Sequence, residues 1–253
     1  MKNLLFIHGG PGLNSHADER MIESKFRSND LRITFWNEPS EIRDEVKEVS
    51  FDIAIESLVK EFQQFQNPPV LIAHSFGAQY ALALIKKLGL KNQKVIYICP
   101  DLEPLNTDLN IIKLAKDHFE REDKDKYDQL QQLTQSFTRS FDEIRIQALG
   151  IVGTYQELFL NYWVNKDVMA AYYSFLTDEY SFNINSYLAI RASAPLELIE
   201  NFDEKNSLVL YSIHDPIINL NRNLDFKLIK ESGHYPHIEA PDQIIEITKI
   251  FLS

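Results

Sequence analysis

Ser75 stands where a hydroxyl can become chemical. Val70-Leu71-Ile72-Ala73-His74 is an apolar run behind the Pro68-Pro69 break and reads as a buried strand, and Ala78 to Leu88 reads as a helix. The serine therefore sits on a strand-to-helix turn, with the small residues Ala73 and Gly77 two positions to either side. Only small neighbours let the backbone pass that close to itself. A serine hydroxyl is a weak nucleophile at its own pKa. It needs a base to take its proton and a third group to orient that base.

Two later segments offer these partners. Leu208 to Ile213 reads as a buried strand and ends in His214-Asp215-Pro216. Phe226 to Ile229 reads as another strand, followed by Ser232-Gly233-His234-Tyr235-Pro236-His237-Ile238-Glu239. An acid such as Asp215 can hold an imidazole in one tautomer and stabilise the imidazolium as it forms. Asp-Pro is also a common turn starter, so Asp215 has a plain structural reading. Asp101, in Cys99-Pro100-Asp101 behind another strand, is a rival acid, and His237 is a rival to His234 that lacks the preceding glycine. Near the start of the chain, Asn3 to Ile7 reads as a strand that runs into His8-Gly9-Gly10-Pro11-Gly12. Taken alone, this turn suits a phosphate loop, a dinucleotide turn or a structural bend. Glycines there also let backbone N–H groups approach a developing negative charge.

Taken together, these segments resemble the α/β-hydrolase superfamily, and the His-Gly-Gly-Pro-Gly form is similar to its branch of proline iminopeptidases. The resemblance covers roughly residues 1–100 and 205–253. It implies a triad of Ser75, Asp215 and His234, in the chain order Ser, Asp, His of that superfamily. It also implies oxyanion donors on Phe76, the residue after the nucleophile, and on Gly10. The family's strand order selects Asp215 over Asp101. His8 is expected to brace the glycine loop, and His74 to point away from the nucleophile. No pair of histidines has the spacing of a metal site, so neither metal nor cofactor is expected.

The elements that must position these residues alternate. Strands are expected at 3–7, 31–36, 69–74, 94–99, 207–213 and 225–230, with helices at 16–27, 51–66, 78–88 and 241–252. Such alternation argues a mostly parallel sheet flanked by helices, here an α/β-hydrolase fold with about six strands. Apolar residues at 51, 55, 58, 59, 62 and 65 form a clear helical stripe. The superfamily's two leading strands have no counterpart, so a trimmed core is expected. Residues 1–100 and 201–253 are assigned to that core. Residues 101–200 break the alternation, read as amphipathic helices such as Asn110 to Glu122, and are assigned to a helical lid. Tyr155, Phe159, Tyr162, Trp163, Tyr172, Tyr173 and Phe175 fall there and suggest an apolar pocket roof. The run from Glu120 to Lys126 reads as a solvated face or turn.

Composition sets the bounds. A chain of 253 residues can form one large core. A formal net charge of −11 argues against nucleic acid and anionic membrane surfaces as partners, leaving a small-molecule substrate. No apolar stretch approaches the roughly 18 residues of a membrane helix. The lone Cys99 has no disulfide partner and reads as a buried thiol, and the chain is expected to be cytoplasmic.

These features favour a serine hydrolase cleaving a small carboxylic ester or amide through an acyl-enzyme. One alternative is a proline iminopeptidase-type aminopeptidase. The family's Asp-x-Arg-Gly-type stretch is replaced here by Trp36-Asn37-Glu38-Pro39, and Glu157 is the candidate anchor for a substrate amine. Another is a non-catalytic ligand-binding protein on the same fold, against which an intact Ser, Asp and His set argues.

Overall fold

The computed structural model describes residues 2–39, 42, 49–135, 140–176, 182–221 and 223–253. Six strands, β1 (Lys2–Ile7), β2 (Leu31–Trp36), β3 (Val70–His74), β4 (Val95–Ile98), β5 (Ser207–Ser212) and β6 (Phe226–Ile229), form one sheet in the order β2-β1-β3-β4-β5-β6. Every pairing is parallel. A parallel sheet is covered on both faces, which is why its central strands read as unbroken apolar runs rather than alternating ones. Leu4 to Ile7 and all of β4 are buried.

Register sets where the chemistry can lie. Ile7 pairs with Ala73, His74 with Ile98, Ile98 with Leu210, and Ser212 with Ile229. The strands thus end together, and the loops that follow β1, β3, β4, β5 and β6 share one edge, the place where open α/β sheets carry ligands.

Helices α1 (His16–Arg27), α2 (Phe51–Gln63) and α3 (Gly77–Leu88) connect the first strands. The expected stripe of α2 is buried through Phe51, Ile55, Leu58, Val59 and Phe62, with Phe65 just past the helix end. Between β4 and β5 lie α4 (Pro104–Glu122), α5 (Lys124–Thr134), α6 (Phe141–Gly153), a 3₁₀ turn over Gln156–Tyr162, α7 (Lys166–Tyr173) and α8 (Ile184–Ser193). Helix α4 begins six residues before the expected Asn110, because Pro104 occupies its first turn, where a fixed φ and a missing N–H cost nothing. The charged run from Glu120 to Lys126 spans the junction of α4 and α5, where the Asp123 side chain caps the second helix. Two helices close the chain, a short α9 (Pro236–Glu239) that the periodicity did not signal and α10 (Pro241–Leu252). Among the described residues, no helix is long and apolar enough to cross a membrane.

Candidate active site

The turn after β3 is strained in the way its sequence implies. Ser75 has φ +50°, a left-handed conformation that costs a non-glycine residue roughly 1–2 kcal/mol. Neighbours hold it there. Its N–H donates to the Ile98 carbonyl at 3.0 Å, and its own carbonyl accepts from the N–H groups of Asp101 at 2.9 Å and Ala78 at 3.1 Å. Gly77 is required because a Cβ at that position would lie 2.4 Å from the Ile7 carbonyl oxygen and 2.7 Å from that of His8.

Asp215 and His234 meet at 2.7 Å between Oδ2 and Nδ1, both side chains almost fully buried. The other carboxylate oxygen accepts from the Ile217 and Ile218 N–H groups at 2.9 and 3.0 Å. Burial alone would raise the Asp215 carboxyl. The facing His234 ring and the two backbone donors outweigh it and hold the group below the ordinary carboxylate value. Asp215 is therefore an anion that contacts the ring at Nδ1. Cys99, buried with φ +42°, stands behind this pair, and burial followed by the Asp215 charge pushes its thiol well up. The Cys99, Asp215 and His234 ligand atoms lie within 4.8 Å of one another, the one set among the described residues spaced for a metal. Two of the three residues are joined to each other through the Asp215–His234 hydrogen bond.

The His234 loop is fastened on both sides. The His234 N–H donates to the Tyr162 carbonyl at 2.7 Å. The Glu239 carboxylate accepts from the Gly233 N–H at 2.7 Å and from the N–H groups of Val164 and Asn165 at 2.9 and 2.7 Å. His74, adjacent to the serine, donates from Nε2 to the His234 carbonyl at 2.8 Å. Burial holds its ring well below the ordinary imidazole value, and the neighbouring His237 and His234 rings act the same way. The expectation that His74 merely points away is refined by this contact: it props the loop of the catalytic-histidine candidate.

The glycine loop after β1 has its own scaffold. Gly10 has φ +59°, which glycine adopts freely. The buried Glu38 accepts from the Gly12 N–H at 2.9 Å and from the Tyr80 hydroxyl at 2.7 Å. The Ser15 N–H donates to the Asn37 side chain and the Ser15 hydroxyl to the Trp36 carbonyl, both at 2.7 Å. His8 stacks on Trp36 at 5.3 Å. Trp36-Asn37-Glu38 thus braces the loop, a role the sequence reading missed. An acidic residue directly behind an apolar strand was the available signal.

Ser75, His74, His234, Gly9 and Gly10 open on a cavity of about 360 Å³. Phe159, Tyr162, Tyr172, Tyr173, Phe182 and Tyr187 from the segment between β4 and β5 line it, together with Tyr235 and the cationic Arg191. Four of the seven aromatics expected in the roof are therefore there. Trp163 stacks on Tyr235 instead at 4.3 Å, Tyr155 packs against Phe119 at 5.0 Å, and Phe175 lies under Arg20.

The rival residues go elsewhere. Asp101 accepts from the Thr107 hydroxyl at 2.7 Å and pairs with Arg191 at 3.0 Å. His237 pairs with the buried Asp18 at 2.8 Å, whose other oxygen accepts from the Tyr172 hydroxyl. Glu157 is exposed, accepts from the Tyr155 hydroxyl at 3.1 Å, and is not among the residues lining the cavity.

A family model described as the alpha/beta hydrolase family matches residues 4–247. No curated protein matches the sequence. Among solved structures, a proline iminopeptidase-related protein from Thermus thermophilus aligns with a TM-score of 0.63 and 18% identity, covering 99% of this chain and 89% of that one. A serine hydrolase from the polyaromatic hydrocarbon-degrading Cycloclasticus zankles aligns at 0.60 and 13%, covering 100% and 89%. A thermophilic esterase from Thermogutta terrifontis aligns at 0.53 and 14%, again covering 100% and 89%. At these identities the likeness concerns the fold.

Proposed function

This chain belongs to the alpha/beta hydrolase family, and we propose that it is a serine hydrolase of small carboxylic esters or amides, working through an acyl-enzyme. The observation that carries the reading is the Asp215–His234 hydrogen bond, which opens with the strained Ser75 onto one aromatic-lined cavity. In this mechanism His234 takes the Ser75 proton as the hydroxyl attacks the substrate carbonyl. The backbone N–H groups of Phe76 and Gly10 stabilise the resulting oxyanion. His234 then protonates the leaving group, and water repeats the sequence to release the acid. Asp215 stays ionised throughout, as its lowered pKa requires.

Residues 101–200 are, in this reading, a cap whose aromatics supply the substrate pocket. Apolar surface buried there stabilises a bound group by roughly 25 cal/mol per Å². Among the described residues, those lining the cavity include no Asp or Glu to pair with an N-terminal amine. We therefore place short acyl esters ahead of the aminopeptidase substrates suggested by the glycine loop. Side-by-side kcat/KM values for p-nitrophenyl butyrate and proline p-nitroanilide test this. Faster ester turnover is expected. Faster anilide turnover would contradict the substrate assignment, and no turnover of either would favour the binding-protein alternative.

A further inference from the structure

We infer that Arg191 is a positioning residue for the oxyanion side of the turn, acting on the Ser75–Phe76 peptide through Asp101 and the Phe76 ring. The inference rests on the serine-hydrolase reading above. A peptide unit is planar, so whatever fixes the direction of the Ser75 carbonyl also fixes that of the Phe76 N–H, the proposed oxyanion donor. Asp101 grips that carbonyl with its own N–H at 2.9 Å. It can do so firmly because its other groups are also engaged. Its carbonyl accepts from the Gln79 side chain, one carboxylate oxygen accepts from Thr107, and the other pairs with Arg191.

Arg191 reaches the same peptide by a second route. Its guanidinium carbon lies 4.8 Å from the centre of the Phe76 ring, whose side chain is buried. The guanidinium fork spans two acids, one nitrogen 3.0 Å from Asp101 and another 2.7 Å from Asp108. Arg145 meets the far oxygen of Asp108 at 2.7 Å and the exposed Asp142 at 3.4 Å, so two cations and two anions lie together in a buried quartet with a third acid at its rim. A planar fork can bridge both acids while lying over a ring. A lysine ammonium, a single point charge, cannot. A residue of α8 thereby holds a turn built by β3, and aim matters there, because donor misplacement of about 1 Å can cost on the order of a hundredfold in rate.

Fluorophosphonate labelling of Ser75, read as a rate constant per folded molecule, tests this beside thermal melting and the kinetics of p-nitrophenyl butyrate. Arg191→Lys is expected to slow labelling and kcat by about tenfold while KM stays within about threefold. Arg191→Ala is expected to regain rate with added guanidinium, which can enter through the cavity, and not with ammonium. Arg145→Gln, at the far edge of the quartet, is expected to melt earlier yet label at the wild-type rate. Should Arg191→Ala not fold, Arg191→Lys and Asp101→Asn carry the test: each is expected to slow labelling, and the double variant to be no slower than the slower single one. Wild-type labelling rates in the Arg191 variants, with only lowered melting temperatures, would overturn the inference and leave the serine-hydrolase reading standing. Equal slowing by Arg145→Gln would reduce Arg191 to general packing. A folded wild type that is not labelled at Ser75 would overturn both.

Discussion

Ser75, Asp215 and His234 each follow a strand within a few residues, and each is held by backbone groups: Ser75 by those of Ile98 and Asp101, Asp215 by those of its own loop, and His234 by the Tyr162 carbonyl of the inserted segment. Phe159, Tyr162, Tyr187 and Arg191 come instead from helices or turns between β4 and β5, and they reach the same cavity through side-chain packing. Strand register sets the first group along one edge of the sheet. Mutual packing places the second. Changes at strand ends should therefore cost turnover, and changes among the inserted helices should cost substrate affinity. Arg191 is the crossing point, a helix residue bound to a strand-end acid.

The largest effect should come from Ser75→Ala. Loss of ester turnover by about 10⁴-fold or more is expected, with KM and melting temperature little changed. Asp215→Asn should cost about 10⁴-fold in kcat by freeing the imidazole to adopt the wrong tautomer, whereas Asp101→Asn should cost several-fold. Steady-state kinetics of the two variants check this, and equal losses would erase the distinction between the acids.

How far the sequence reveals each group follows from the same contrast. A strained serine turn needs Ala73 and Gly77 beside it, and a strand-end acid follows an apolar run, so local constraints leave local marks. All six strands were legible for this reason, to within a residue or so at each end. The Arg191–Asp101–Asp108–Arg145 quartet spans residues far apart in the chain and leaves no spacing to read. Glu38 falls between the two cases. Its burial behind the glycine loop depends on Tyr80, far along the chain, although its position after β2 was visible.

A third prediction concerns pH and the props of the His234 loop. The buried His74 stays neutral in the folded protein to a pH well below its ordinary value, while the unfolded chain binds a proton near pH 6.5. Between those limits the unfolded state holds the extra proton. The contribution is thus intact above about pH 6.5 and lost as pH falls, at up to about 1.4 kcal/mol per pH unit. Urea unfolding between neutral and mildly acidic pH should show a shallower decline in His74→Asn than in wild type, and parallel declines would contradict the assignment. The smallest effect is expected in the roof. Phe159→Leu should raise KM for p-nitrophenyl butyrate about threefold to tenfold with kcat unchanged, and a fall in kcat instead would blur the line between the two regions.

The central claim, that Ser75 carries the acyl group, can be tested by trapping it. p-Nitrophenyl butyrate turnover is quenched in acid during the first turnovers, and the digested protein is read by mass spectrometry. The account predicts a butyryl group on the peptide bearing Ser75, absent in Ser75→Ala. Turnover with no acyl group on Ser75, or undiminished turnover by Ser75→Ala, would contradict it.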